Sequence, residues 1–493
     1  MKKNTGRNLT KLWLVTTIMV LAAAVFPYPT SAESSTSKST PLSQGFIAVE
    51  GGHYYTMALR KDGTVWGWGR NLWGELGIQQ KVSFSRATAP IRIAGLSGIT
   101  NISVGGWSHN LAAKADGTVW QWGGAERPGI EYAGIYSLLP YQIEGVTDAR
   151  TVAAGSYFGL ALRKDGTVWS WEKIWMDPQI YQSEHESRKP AAVKGLKDIV
   201  QIVAGGQLGY ALKKDGTVWG WRESLTKKGQ YTIEGTSPVQ VKGLNKMKQI
   251  SLVGESLYGL DGNGKVWFWE QGQPAKALYP KLQVKQIVAQ QRYVLLLTTS
   301  GEIYTYGETV TGKQGKVNHL PKIVSIGGGT YHNIAVSADG GVWGWGHNKF
   351  YEAGTEASSY GGMVYRPAQA RAAIDVFVNG KQFETPFPVI ASDVSVQVPI
   401  RAISQTLGAS FSISRSDSET SYVVKYKGRT ISFNQYADQA WEGSKPITLI
   451  ERPKSVAGAV TVPYQLLSQG LGLNINWDSN AQVLTISDTK AEK

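Results

Sequence analysis

A chain of 493 residues with 42% apolar content can bury a large core and is long enough for two or more domains, which excludes a disordered protein. Its formal charge of +14 is scattered along the chain rather than gathered into a stripe, which argues against a nucleic-acid-binding surface. The absence of cysteine excludes disulfides, thiol catalysis and thiolate metal sites together.

At the amino terminus, Lys2, Lys3, Arg7 and Lys11 precede an apolar run from Leu12 to Phe26, followed by Pro27-Tyr28-Pro29 and the small residues Thr30-Ser31-Ala32. This is the plan of a secretory signal peptide over residues 1–32, with cleavage expected after Ala32. The run is shorter than the roughly 20 residues that span a bilayer, so no membrane span is expected after cleavage. Cleavage removes four positive and no negative charges, lowering the net charge from +14 to +10. A basic field of that size would hold a secreted protein near an anionic wall. Residues 33–44, rich in Ser and Thr, read as a flexible leader.

The stretch Asp62-Gly63-Thr64-Val65-Trp66-Gly67-Trp68 then returns in close copies beginning at Asp116, Asp165, Asp215, Asn263, Ser300 and Asp339. Asp-Gly between apolar runs is a hairpin signal, because the turn needs a positive φ that glycine supplies at no steric cost. Beyond the turn the side chains alternate, so both indoles project from one face and Val65, Gly67 and Gly69 from the other. Such a bulky and bare pair of faces can stack on the next copy, and a fixed period of about 40 to 50 residues is the signature of stacked units. Upstream of each turn lie a β-branched run and a short apolar strand, as in Ile202-Val203-Ala204-Gly205-Gly206 and Tyr210-Ala211-Leu212. Proline-led runs such as Pro90–Ile93 and Pro238–Val241 supply a fourth strand at an outer edge, where the missing N–H is not needed. Seven units of four strands predict a seven-bladed β-propeller over residues 45–371.

The pattern Gly-Gly-x-x-His, apolar strand, Asp-Gly-x-Val-Trp-x-Trp-Gly and Asn-x-x-Gly-Glu-Leu-Gly resembles the regulator of chromosome condensation (RCC1-like) repeat. The first repeat is the fullest, ending Asn71-Leu72-Trp73-Gly74-Glu75-Leu76-Gly77, and this ending is lost in repeats two to six. His109 and His332 hold the histidine position, which Tyr55 and Phe158 fill elsewhere. The resemblance implies a rigid ring whose activity lies on its loops: the founding member is a nucleotide-exchange factor that binds chromatin, and an extracellular bacterial member inhibits β-lactamase as a protein-binding surface.

From Ile374 the hairpins stop and a different duplication begins. Val398-Pro399-Ile400-Arg401-Ala402-Ile403-Ser404-Gln405-Thr406-Leu407-Gly408 recurs 64 residues later as Val462-Pro463-Tyr464-Gln465-Leu466-Leu467-Ser468-Gln469-Gly470-Leu471-Gly472. Each copy reads as a short helix begun by Pro and stopped by Gly, followed by a strand. Residues 374–488 resemble the copper amine oxidase N-terminal-like domain, a stalk module of secreted proteins, and predict a small duplicated α+β domain. All six histidines precede Ile374, so the stalk holds no histidine copper site.

Chemistry is sparse. The repeated aspartates lack the six to eight oxygens that calcium takes and read as turn residues. The paired tryptophans read as interblade packing rather than as a sugar platform. His109 and His332 read as structural hydrogen-bonders, since no paired carboxylate recurs beside them. No cofactor or metal site and no catalytic constellation is expected. Three insertions, Gly123–Pro140, Glu172–Pro190 and Arg222–Ser237, stand out as long loops, and loops on a rigid scaffold carry function. Tyr132, Tyr136, Trp175 and Tyr181 either anchor a partner there or pin their own loops. The expected function is a secreted or cell-wall-associated, non-catalytic binding protein for an extracellular protein or envelope glycan. The alternatives are a glycan-active enzyme with its site in the propeller mouth and a structural spacer. Nothing in the sequence sets an oligomeric state.

Overall fold

At the tip of each repeat the Asp-Gly signal folds as a side-chain-capped turn. Asp62 Oδ1 accepts hydrogen bonds from Thr64 N (3.0 Å) and Thr64 Oγ1 (2.6 Å), and Asp116, Asp165 and Asp215 repeat the arrangement. At Gly117 φ is +86°, and a Cβ would fall 2.8 Å from Asp148 Cα of the next repeat, so the position needs glycine twice over. The turn is also a joint: Ile99 N donates to Gly63 O (3.0 Å), Ala149 N to Gly117 O (3.0 Å) and Met247 N to Gly216 O (3.0 Å), each tying a turn to the inner strand of the following repeat.

The structure is a computed structural model that describes residues 45–488 except 79–85, 107, 124–138, 173–188, 229, 279–281, 310–313, 357, 359–360 and 417–418, and leaves aside the side chains of 224–235. The predicted signal peptide and leader lie outside the described residues. Seven antiparallel sheets follow one another from Phe46 to Gln369, each built from a contiguous stretch of chain. In blade 1 the strands are Phe46–Gly51, Tyr55–Arg60, Val65–Arg70 and Arg86–Arg92 from the axis outward. The ring closes without an exchanged strand. Phe46–Gly51 stays in blade 1 and Met363–Gln369 in blade 7, and the two blades meet through Phe46 N donating to Gly340 O (3.3 Å) and Thr330 N to Gly52 O (3.0 Å).

Neighbouring inner strands are zipped by carboxamides. Gln201, Gln249 and Gln286 each accept from and donate to the backbone of Ile250, Ile287 and Ile326 in the following blade, at 2.8–3.1 Å. They surround an axial channel of about 830 Å³.

One expectation about the insertions is corrected. Arg222–Ser237 is not a loop: the third strand of blade 4 runs on as Val218–Lys228 and pairs with Gln230–Gly235 in a hairpin arm.

In the carboxy-terminal domain the two copies of the duplicated motif pair antiparallel, Val398 opposite Val462. The helices Ile400–Leu407 and Tyr464–Leu471 are stopped by Gly408 (φ +73°) and Gly472 (φ +74°). Pro399 and Pro463 stand at the N-cap with extended backbone, one residue before the first turn. The two helices pack onto three sheets around a core drawn entirely from residues 374–486. Arg60 of blade 1 donates to Asp375 at 2.7 Å and links the domain to the propeller.

Candidate functional site

In the repeats that carry a tryptophan pair (the sixth has Tyr304 and Tyr306), the two rings do different jobs. The first stays within its hairpin: Trp66 Nε1 donates to Thr64 Oγ1 (3.0 Å), with Arg60 lying over the ring. In repeats one to three the second reaches into the preceding blade. Trp68 Nε1 donates to Glu352 O (3.1 Å) and Trp122 Nε1 to Glu75 O (3.2 Å), and both rings are fully buried.

Glu75 and Glu352 belong to the glycine-rich ending, which survives in repeats one and seven as Asn71–Gly77 and Asn348–Gly354. The ending holds its own shape. Asn71 Oδ1 accepts from Leu76 N (2.9 Å), and the fully buried Glu75 accepts from Arg70 Nε (2.8 Å) and Trp73 N (2.7 Å). In blade 7, Asn348 Oδ1 accepts from Ala353 N (2.9 Å), while Glu352 accepts from Phe350 N (2.8 Å) and contacts His347. The segment so formed is a plug. Leu76, fully buried, sits on the bare face of Gly67, and the Glu75 carbonyl meets Trp122 Nε1 and Asn110 Nδ2 of blade 2. Glu352 O meets Trp68 Nε1 and Thr56 Oγ1 of blade 1 in the same way.

Where the ending is lost, the acceptor changes. Trp171 Nε1 donates to Gln121 Oε1 (3.0 Å) and Trp221 Nε1 to Glu223 Oε1 (3.0 Å), so side chains stand in for the carbonyl and both rings stay buried. Between blades 4 and 5 no such replacement appears among the described residues. The chain leaves blade 4 as the hairpin arm instead of folding back, and a cleft of about 820 Å³ opens there. Its floor is Gly220, covered in part by Tyr210, whose Cε1 would lie 2.5 Å from a Cβ at that glycine. Its wall is Trp269, the second tryptophan of blade 5, which is part-exposed and meets Tyr210 edge to face at 6.3 Å. Val241, Pro274 and Ala275 add apolar surface, and Gln240, Gln271 and Gln273 add polar groups. Arg222 pairs with Glu255 at 3.1 Å and bridges the two blades. Two aromatic rings with a few convergent polar groups make this a binding-site geometry.

His109 and His332 lie elsewhere and connect neighbouring blades. Fully buried His109 places Nδ1 2.9 Å from Gly155 O and Nε2 3.1 Å from Gln121 Oε1. His332 Nε2 lies 2.8 Å from Thr56 Oγ1, and burial pushes its pKa down to about 4. Its Nδ1 has no hydrogen-bond partner, so this histidine is only half satisfied. In the channel, Glu50 sits in the register position where Ser103 and Ser251 accept a backbone N–H from the next blade, and burial raises its pKa to about 7. The predicted anchors Tyr132, Tyr136, Trp175 and Tyr181 all lie outside the described residues. Trp269 and Tyr210 escaped sequence reasoning. The signals were the missing plug after Trp221 and a bulky Tyr at the register position of Met57.

Residues 62–113 match the model of the regulator of chromosome condensation (RCC1) repeat, and residues 46–72, 149–171 and 323–352 match a second model of that repeat. The propeller carries RCC1 repeats. Residues 377–486 match the copper amine oxidase N-terminal domain. That stretch contains neither His nor Cys, so its donor set does not fit copper. Among curated relatives, the probable E3 ubiquitin-protein ligase HERC6 of Homo sapiens is 38% identical over 79 residues, 16% of this chain and 7% of that protein. The RCC1 domain-containing mitochondrial protein RUG3 of Arabidopsis thaliana is 34% identical over 126 residues, 24% of this chain and 27% of that protein. The chain thus spans about a quarter or less of the length of these relatives. Among solved structures, human WBSCR16 matches 64% of this chain and 96% of its own at 17% identity, with a TM-score of 0.49. Yeast RCC1 (Prp20), solved bound to Kap60, matches 70% and 91% at 19% identity, also with a TM-score of 0.49.

Proposed function

We propose that this chain is a secreted or cell-wall-associated, non-catalytic binding protein whose RCC1 propeller holds an extracellular protein or envelope glycan. The observation that carries the reading is the unplugged cleft between blades 4 and 5, where Trp269 and Tyr210 line a concave, mostly apolar site on a rigid ring. Two further features support it: RCC1-like repeats often mediate protein interactions, and the amino terminus has the plan of a secretion signal. In this reading the carboxy-terminal domain presents the propeller.

The test is a pulldown with the full chain from culture supernatant and wall fractions, followed by affinity measurements on variants. Truncating a buried anchor costs about 2 kcal/mol, roughly thirtyfold in affinity. Trp269→Ala probes the cleft, and Trp175→Ala and Tyr136→Ala probe the insertions. Unchanged affinity in all three would move the site to the channel mouth.

The reading as a glycan-active enzyme has one observation in its favour, the Glu50 carboxyl held near neutral pKa inside the channel. Acid–base glycoside hydrolysis uses two carboxyl groups. The other described channel carboxylate, Glu255, is ion-paired with Arg222.

A further inference from the structure

The chain itself shows what fits an interblade cleft. Between blades 1 and 2 and between blades 7 and 1, the occupant is a glycine-containing turn that lies on the bare glycine of the third strand, with the Leu76 side chain against Gly67 and the Ala353 backbone against Gly344. It offers the preceding carbonyl to the next blade's second tryptophan. Between blades 4 and 5 the receptor half of this arrangement persists and the occupant does not. Gly220 corresponds to Gly67, and Trp269 corresponds to Trp122. Among the described residues the Trp269 indole N–H has no hydrogen-bond acceptor. Two differences shape the vacancy. Tyr210 replaces Met57 and raises the floor, and Leu257 stands where Asn110 or Thr56 supplies a second donor in the plugged clefts. The vacancy therefore suits an occupant with one carbonyl acceptor and an aliphatic side chain.

We propose that the blade 4/5 cleft is a receptor for a peptide turn of a partner protein, one that presents a Leu-sized aliphatic side chain and hands its preceding backbone carbonyl to Trp269 Nε1, mimicking the chain's own Asn71–Gly77 plug. The partner supplies in trans the part that repeats one and seven supply in cis. A sugar ring would stack flat on an indole face and needs several polar partners. Here the part-exposed indole meets Tyr210 with the two rings nearly perpendicular, and the cleft is predominantly apolar. This inference rests on the reading of the propeller as a binding platform.

The probe is a head-to-tail cyclised peptide carrying Asn71–Ile78, added to the full chain labelled with 5-fluorotryptophan. The Trp269 resonance is assigned by its absence in Trp269→Phe. A saturable shift confined to that resonance and its neighbours, at millimolar peptide or below, is expected. Replacing the peptide's second leucine, the counterpart of Leu76, by alanine should weaken binding by about tenfold or more. Trp269→Phe, which keeps an aromatic ring in place of the indole and removes the N–H, should weaken it about fivefold, followed on the Trp221 resonance. Ala275→Phe should fill the cleft and abolish binding while the melting temperature holds. No shift at millimolar peptide, or a shift that Ala275→Phe leaves intact, overturns the proposal. Binding of a wall glycan that Trp269→Phe weakens, with no response to the peptide, overturns the peptide assignment and leaves the platform reading standing.

Discussion

Replacing Glu50 by glutamine should stabilise the propeller at neutral pH and leave it unchanged in acid. Glu50 lies on the inner strand of blade 1 facing the channel, and burial raises its pKa from 4.5 to about 7. The folded state therefore holds the proton more tightly than the unfolded chain. The contribution of Glu50 to wild-type stability falls as pH rises from about 4.5 to about 7 and is flat above that. At 1.36 kcal/mol for each pKa unit, the carboxylate costs the fold about 3 kcal/mol at pH 8, an upper bound because channel water reaches the partly exposed side chain. Glutamine keeps the shape and removes the charge. With the unfolding entropy of a propeller this size, the variant should melt about 4 °C higher at pH 8 and at the same temperature near pH 4. The assay is thermal unfolding of both proteins by tryptophan fluorescence at half-unit steps from pH 4 to 8. Only the difference between the two is read, so the titration of other groups cancels. A difference independent of pH, or a wild type more stable than the variant at pH 8, refutes the reasoning.

His332 should give the opposite slope. Its folded pKa of about 4 lies below the usual 6.5, so its contribution is complete above pH 6.5 and is lost as pH falls toward 4. His332→Gln should be less stable than wild type at pH 7.5, and the deficit should shrink by pH 5; urea titrations at the two pH values check this, and a constant deficit counts against it. Leu76→Ala, at a fully buried plug residue, should cost about 2–5 kcal/mol in urea unfolding; a loss below 1 kcal/mol would mean that the blade 1/2 cleft collapses around the smaller side chain. Residues 372–493 expressed alone should melt cooperatively, because their buried core comes from 374–486 without help from the blades; a broad, non-cooperative transition would show that contacts such as Arg60–Asp375 are needed for folding.

What the sequence by itself determined about this protein was whatever is decided within a few residues. The Asp-Gly turn caps itself through residue i+2, so four aspartates announced four hairpins, and alternation placed both tryptophans of each repeat on one face. The period counted the blades, and the duplicated Val-Pro-to-Gly segments marked two helices that Gly408 and Gly472 do stop. What only the tertiary structure decided is every interaction whose partner lies a blade away. The acceptor for Trp122 is 47 residues distant in sequence, that for Trp171 is 50 and that for Trp68 is 284, and no local rule distinguishes a carbonyl from the Gln121 side chain in that role. The loss of the glycine-rich ending in repeats two to six was plain in the sequence. That blade 4 answers it with a hairpin extension, leaving Trp269 part-exposed, depends on how two neighbouring sheets meet. The same holds for Glu50, an ordinary strand carboxylate until seven blades close around it, strip part of its water and leave its charge in a channel lined with carboxamides.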